Sequence, residues 1–421
     1  MRNINKFLTL IIALGIIFVF GSKVEAFQPV SHYVVIEQAT SKLSENSLIR
    51  KAVKAYPNVA AWGSVGPDLG YMQIGSLGDY SPWGDRYHYY KVGSYASKQL
   101  QNALKSKDMK KIAFAAGWIS HVTGDLACHG IYVNLECGVY LDNKDGRKQH
   151  KHMESEAEPY AWVNIAGHSI ADYNSSNMAG NIFKGVDDIP FDLMNETSEE
   201  VYGQSPSTAE EKLWATTLLA GLKTGVGYSY TDYNESKEFL SSNNREINLK
   251  CAFSQGINQC YKLLNYSENG DYTKFTDRWN LDVGKSNSPI SSLTTIISTG
   301  TNIGSGTDDN IYFGIHLNNG IKKEWLLDKE TYNDFENGAT DEYYLYINDI
   351  DFLPKMVDKV WVRKESTGSI ASNWLFKGLK IDVNGNDVLN SEPNEWMTSE
   401  NSTAEFNADF SGVTNLEDPV F

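Results

Sequence analysis

The chain has 421 residues, with 37 lysines and arginines against 53 aspartates and glutamates, for a formal net charge of −16. A chain this acidic has no general electrostatic attraction for nucleic acid or anionic lipid. Nucleic acid is therefore not an expected partner, and membrane binding would need another attractive term, for which bound calcium is one candidate.

At the N-terminus, Arg2 and Lys6 flank the start of an apolar run from Phe7 to Phe20. Its 14 residues are too few for a comfortable bilayer span but suit the core of a secretory signal. Val24-Glu25-Ala26 supplies a small-residue cleavage site, so residues 1–26 read as a signal peptide and Phe27 as the first mature residue. Cleavage would remove three cations (Arg2, Lys6, Lys23) and one anion (Glu25), moving the charge to −18. No later run is long and apolar enough to span a bilayer. A secreted, extracellular monomer is the expected form.

Residues 27–286 read as mainly α. Segments 93–106, 109–128, 150–166 and 207–226 carry apolar residues at helical spacing. The stretch 286–307 is rich in Ser, Thr, Gly and Asn and reads as a linker or domain entry. Beyond it, 310–317, 342–347, 359–364 and 374–383 alternate with period two between turn residues, which predicts an all-β antiparallel sandwich over 287–412. An acidic tail, 413–421, follows. The fold class is thus an N-terminal helical bundle plus a C-terminal β-sandwich, each long enough for its own core. Cys128, Cys137, Cys251 and Cys260 suggest structural disulfides in an exported chain. Their spacing pairs nearest neighbours, Cys128–Cys137 and Cys251–Cys260, with free structural thiols as the alternative.

Seven of the eight histidines lie between positions 32 and 168, which places any histidine chemistry in the helical part. The segment Gly117-Trp-Ile-Ser-His-Val-Thr-Gly-Asp-Leu-Ala-Cys-His129 spaces His121, Asp125 and His129 at i, i+4 and i+8, on one face of a helix. His150 and Glu154 repeat the i, i+4 spacing, and His152 with Glu156 offers a competing pair. Imidazole nitrogen and carboxylate oxygen are natural zinc ligands, and inward faces of packed helices are where bundles build polynuclear sites.

This set resembles the zinc-dependent phospholipase C and single-strand nuclease superfamily. The matching elements run in the same order: Phe27, His32 in Ser-His-Tyr-Val-Val-Ile-Glu-Gln-Ala, Asp68 in Gly-Ser-Val-Gly-Pro-Asp, and His88 in Asp-Arg-Tyr-His-Tyr-Tyr. The central helix and the Gln-His-Lys-His-Met-Glu segment follow; the latter favours His150 and Glu154 over His152 and Glu156. The resemblance implies three zincs: one on Asp68, His88, His121 and Asp125; one on His129, His150 and Glu154; one on the Phe27 terminus, His32 and bridging Asp125. It makes signal cleavage part of activation, since only a free amine can coordinate. The first mature residue is commonly Trp in the family and is Phe27 here. The central spacing is H-x3-D-x3-H, where many members have H-x3-D-x5-H. The shorter form is that of relatives that include glycosylphosphatidylinositol-cleaving enzymes.

The C-terminal part resembles the polycystin–lipoxygenase–alpha-toxin (PLAT) domain. The match runs through Gly304-Ser-Gly-Thr-Asp-Asp-Asn-Ile-Tyr-Phe-Gly-Ile315, Glu324-Trp-Leu-Leu-Asp, Asn333-Asp-Phe, Lys359-Val-Trp-Val-Arg-Lys and Asn394-Glu-Trp. The resemblance implies calcium held by Gly306, Thr307, Asp308, Asp328, Asn333 and Asp334. Gly304 stands where the family has a carboxylate, and another falls near Ser372 or Asn373, so weaker calcium binding is expected. The bland reading makes Asp308, Asp309 and Asp334 turn and surface residues. The family's membrane-contact loop aligns with Ser366–Ala371, whose one large apolar residue is Ile370, so shallower insertion than in alpha-toxin is expected.

Together these resemblances imply a secreted zinc phospholipase C that docks on phospholipid membranes with calcium and releases diacylglycerol and a phosphorylated headgroup. Asp68 is the expected group for orienting or deprotonating the attacking water, with simple zinc ligation as its other role. Arg86, Tyr71, Tyr80 and Trp83 could line the pocket or belong to the core. Rival readings are a phosphodiesterase acting on glycosylphosphatidylinositol or single-stranded nucleic acid, and a non-enzymatic membrane adhesin.

Overall fold

The structure, a computed structural model, describes residues 28–73, 82–225, 228, 230–284, 293–329, 332–345, 353–368 and 373–413. Helix α1 (Pro29–Ser41) opens with proline in its first turn, where a missing N–H costs nothing. α2 (Leu48–Ala55) is capped by Ser47, whose hydroxyl accepts the Arg50 N–H at 3.0 Å. α3 (Pro57–Ser64), a 3-10 turn (Pro67–Met72), α4 (Pro82–Tyr89) and α5 (Val92–Ser106) lead to α6 (Met109–Cys128). Asp108 caps α6, accepting the Lys110 and Lys111 N–H groups at 2.8 and 3.4 Å.

A π turn (His129–Val133) and a short helical turn follow, then α7 (Arg147–Tyr160) with a second π turn (Ala161–Ile165). α8 (Phe191–Tyr202), α9 (Thr208–Thr224), α10 (Tyr233–Leu240) and α11 (Arg245–Glu268) complete the helical part. The capping box of Ser207 with Glu210 starts α9, and Gly225, at φ +73°, ends it. Every residue of α6 from Ile112 to Cys128 is buried, because α1, α2, α3, α5 and α11 pack around it. The four helical ranges expected from periodicity fall on α5, α6, α7 with its π turn, and α9.

The coil after α11 returns to the helical core. The Leu281 N–H donates to His88 O at 2.9 Å, and Asp282 accepts the Leu141 N–H at 2.8 Å. The C-terminal part is two antiparallel sheets. One has the order β4-β1-β6-β7, with β8 also on β6, from β1 (Leu293–Thr299), β4 (Thr340–Leu345), β6 (Trp374–Val383), β7 (Asn386–Ser391) and β8 (Glu395–Met397). The other has the order β3-β2-β5-β9, from β2 (Asn310–Leu317), β3 (Lys322–Leu326), β5 (Val357–Glu365) and β9 (Thr403–Asn407). Ile311, Phe313 and Ile315 on β2 meet Trp374, Phe376 and Ile381 on β6 in a core separate from the helical one.

Two expectations need correction. The linker at 286–307 contains β1, a strand paired on both sides. Its Thr294 and Thr295 are fully buried: β-branched threonine fits a pleated surface and read as polarity. The cysteines are all free thiols. Cys251 and Cys260 lie on the single helix α11, where nine residues rise roughly 13 Å, well beyond disulfide reach. Cys128 and Cys137 are separated by a continuous helical run of the same length.

The two parts meet at α4 and β4. Arg86 donates from Nε and Nη2 to Glu342 at 2.9 Å each, and the Tyr89 and Tyr344 rings lie 5.3 Å apart.

Candidate metal centre

Helix geometry delivers the donors. α1 carries His32 in its first turn, the 3-10 turn carries Asp68, α4 carries His88, α6 carries His121 and Asp125, and α7 carries His150 and Glu154. His129 opens the first π turn. All eight side chains are buried, none more than 2% exposed.

The close crossing of α3 and α6 sets His121. A Cβ on Gly117 would lie 2.2 Å from Ala60 O, and one on Gly63 would lie 2.0 Å from Phe114 O. Only hydrogens fit there, so the helices approach closely enough for Ser64 O to reach His121 Nδ1 at 3.0 Å. His88 Nδ1 meets Gly84 O at 2.7 Å, and His129 Nδ1 meets Leu281 O at 2.5 Å. A ring that donates from Nδ1 keeps its Nε2 lone pair for the centre.

Those Nε2 atoms converge on carboxylates. His121 and His32 lie 3.0 and 3.3 Å from Asp125, and His88 lies 3.3 Å from Asp68 and 3.8 Å from Asp125. His129 and His150 lie 3.2 and 3.1 Å from Glu154 Oε1. Three triads result: His32, His121, Asp125; Asp68, His88, His121; and His129, His150, Glu154. Both oxygens of Asp68 and of Asp125 are buried with no donor in hydrogen-bonding geometry. Such carboxylates are costly to bury unless a cation sits among them, and this donor set suits zinc.

The electrostatics express the same conflict. Burial disfavours an ionised Asp125, but His121 and His32 outweigh it and hold the carboxyl well below its ordinary range. At Asp68 burial prevails over His121 and His88, and the group is raised. Burial, reinforced by His121, drives His32 well below an ordinary imidazole. At His129 burial is overcome by Glu154 and Asp125, and the group rises to about 9.

The competing pair separates cleanly. His152 has a 55% exposed side chain, 3.6 Å from Glu156, and packs on Phe239. His150 and Glu154 are the pair that faces His129. His121 and Asp125 serve one cluster and His129 the other, so the i, i+8 member of the central helix belongs to a different triad. Phe27 and Tyr80 lie outside the described residues. Tyr71 is buried with its ring 4.8 Å from that of His88, and Arg86 lies over Trp83 at 4.8 Å.

Sequence reasoning missed Glu158. Its Oε1 accepts the Val30 and Ser31 N–H groups at 2.6 and 3.2 Å, while Oε2 takes the Tyr173 hydroxyl at 3.2 Å and that of Tyr228. It pins the first turn of α1, which holds His32. The carbonyls of Ser64, Gly84 and Leu281 were equally hidden, since any residue type supplies one.

On the sandwich, the six expected calcium donors lie in two loops, Gly306, Thr307 and Asp308 between β1 and β2, and Asp328, Asn333 and Asp334 between β3 and β4. Asp308, Asp328 and Asn333 are exposed, and Thr307 donates its N–H to Phe335 O at 3.3 Å. Among the described residues, no such triad of acids or imidazoles converges in this part.

A helical frame whose core concentrates five imidazoles and three carboxylates, joined to a β-sandwich, defines a two-part metalloprotein. Residues 31–209 match the family model for zinc dependent phospholipase C, and residues 294–408 match that of the PLAT/LH2 domain. Over these two stretches the chain is similar to zinc dependent phospholipase C and to the PLAT/LH2 domain. It is 27% identical over 208 residues to a phospholipase C of Paraclostridium bifermentans, covering 48% of this chain and 49% of the relative. It is 34% identical over 117 residues to one of Clostridium perfringens, covering 28% and 29%. The chain thus spans at most about half the length of these two relatives. The solved Alpha Toxin from Clostridium Absonum aligns at 17% identity and a TM-score of 0.32, over 92% of this chain and 99% of that one.

Proposed function

We propose that this is a secreted phospholipase C with three zinc positions that cleaves the phosphodiester of membrane phospholipids to diacylglycerol and a phosphorylated headgroup. The observation that carries this reading is the set of three buried triads with their Nε2 atoms turned inward. Asp68, His88, His121 and Asp125 would hold one ion; His129, His150 and Glu154 a second; His32 and Asp125, with the Phe27 terminus, a third. Bound zinc supplies Lewis acidity for the phosphoryl group and lowers the pKa of water. The chain's own part is to fix these donors and exclude bulk water. Asp68 is the group we assign to orienting the attacking water and accepting its proton.

Docking falls to the sandwich. Ile303 stands fully exposed in a loop whose neighbour, Asp309, accepts the Thr367 N–H at 2.9 Å, so the 300–309 and 366–368 loops share one end of the domain. The resemblance assigns calcium a part in this step; the side chains favour an internal cation, argued below.

Metal content by mass spectrometry, with phosphatidylcholine hydrolysis before and after chelation, tests the reading. Near three zincs and chelator-sensitive phosphocholine release are expected. His150→Ala should lose about one zinc and nearly all activity, while His152→Ala keeps both. Three zincs without phosphocholine release would move the substrate to another phosphodiester, such as glycosylphosphatidylinositol or single-stranded nucleic acid. Absence of tightly bound zinc would overturn the reading and leave a membrane-binding adhesin.

A further inference from the structure

Calcium needs an open cage of about six to eight oxygen lone pairs. Asp334, the most enclosed of the expected acidic donors, already accepts a hydrogen bond on each oxygen. Its Oδ1 accepts the Tyr343 hydroxyl at 2.7 Å, and its Oδ2 accepts the Lys329 N–H at 3.0 Å. The Lys329 ammonium itself stands 4.0 Å from Asp334 Oδ1 and 3.5 Å from Asp341 Oδ1, with its side chain 11% exposed. It lies 4.6 Å from the ring centres of both Tyr332 and Tyr343, a cation held between aromatic faces.

Asp341 ties this cation to the loops. Fully buried, it accepts the Tyr332 hydroxyl at 2.8 Å and the Phe335 N–H at 3.0 Å. Phe335 sits at φ +57°, a left-handed conformation unusual for a large side chain, and that bond holds it there. Its carbonyl accepts the Thr307 N–H and so fastens the 304–309 loop. A second lysine works beside it: Lys364 meets Asp309 at 2.8 Å, both side chains at most 1% exposed. The Asn333 amide is occupied by Glu336.

We infer that Lys329 is a built-in counter-ion standing in place of a bound divalent cation at this loop cluster, so that the sandwich folds and meets lipid without calcium. The donor set does not fit calcium because an ammonium already fills the space between Asp334 and Asp341 and would repel a second cation. The folding half stands apart from lipid cleavage; the docking half rests on the membrane role proposed above.

The experiment uses the full, zinc-loaded chain. Calcium is titrated by calorimetry into roughly the millimolar range, where extracellular calcium modules saturate. Thermal melts and sedimentation with phosphatidylcholine vesicles are run with calcium and with a calcium chelator. No saturable heat, an unchanged Tm and equal bound fractions are expected. Lys329→Gln, which keeps the length and removes the charge, should melt earlier and regain Tm on adding calcium. Saturable binding with a raised Tm in the unaltered chain, or several-fold tighter vesicle binding with calcium, overturns the inference. So does a folded Lys329→Gln chain that ignores calcium. If that variant does not fold, the titration of the unaltered chain decides alone. None of these readouts involves hydrolysis, so an inactive chain would defeat the proposed function and leave this test intact.

Discussion

Glu158 shows what a single buried carboxylate costs and secures. Burial raises it to about 7 from the ordinary 4.5, against the pull of Tyr228, the Ser31 and Val30 N–H groups and Tyr173. A group raised on folding contributes stability that is complete below pH 4.5 and lost as pH rises through about 7. The span corresponds to roughly 3 kcal/mol. Glu158→Gln keeps an oxygen for the α1 N–H groups and does not titrate. The stability of the unaltered chain relative to this variant should therefore fall by about that amount between pH 5 and 8. Urea unfolding of both zinc-loaded proteins across that range measures it, and a pH-independent difference would contradict the assignment. The donors on α6 and α7 were legible in sequence because histidine and acid four residues apart share a helix face. Glu158 was not, because its partners, Val30 and Ser31, lie 128 and 127 residues away.

At the scale of elements, periodicity found α6 because its apolar residues recur at helical spacing, and it found β2, β5 and β6 because they alternate. It lost β1, which is paired on both sides and rich in buried threonine. Helical spacing put His129 on the face of His121, and its ring groups with His150 and Glu154 on α7, as the resemblance implied. The close crossing of α3 and α6 positions His121. Gly117→Ala would drive a methyl carbon against Ala60 O, a backbone atom that cannot swing aside. We expect a loss of about 2 kcal/mol or more, and a lower zinc content, since His121 would part from Ser64 O. Thermal melts and metal analysis on one sample check both. Normal zinc with lowered Tm would mean that the crossing supports the fold alone.

For the whole molecule, the interface at Arg86 sets how the two parts work together. Arg86 lies two residues before His88 on α4, and its pair with Glu342 leaves the side chains 11% and 12% exposed. Glu342→Gln would take the carboxylate from a largely buried guanidinium, costing about 2 kcal/mol after allowance for solvent. The expected sign is an unfolding curve that separates into two transitions, one for each part. The charge exchange Arg86→Glu with Glu342→Arg should restore much of the coupling. Two parts of different class were readable from the switch in hydrophobic period. Their contact was not, since Arg86 and Glu342 are unremarkable charges until the fold faces them.

The bond from His129 to the Leu281 carbonyl spans 152 residues. Every metal donor on the described helices precedes residue 155, yet one of their orienting partners arrives only at the end of the helical part. During synthesis the candidate metal donors therefore all emerge well before the backbone group that aims His129. A chain halted short of Leu281 would lack the carbonyl that orients the His129 ring.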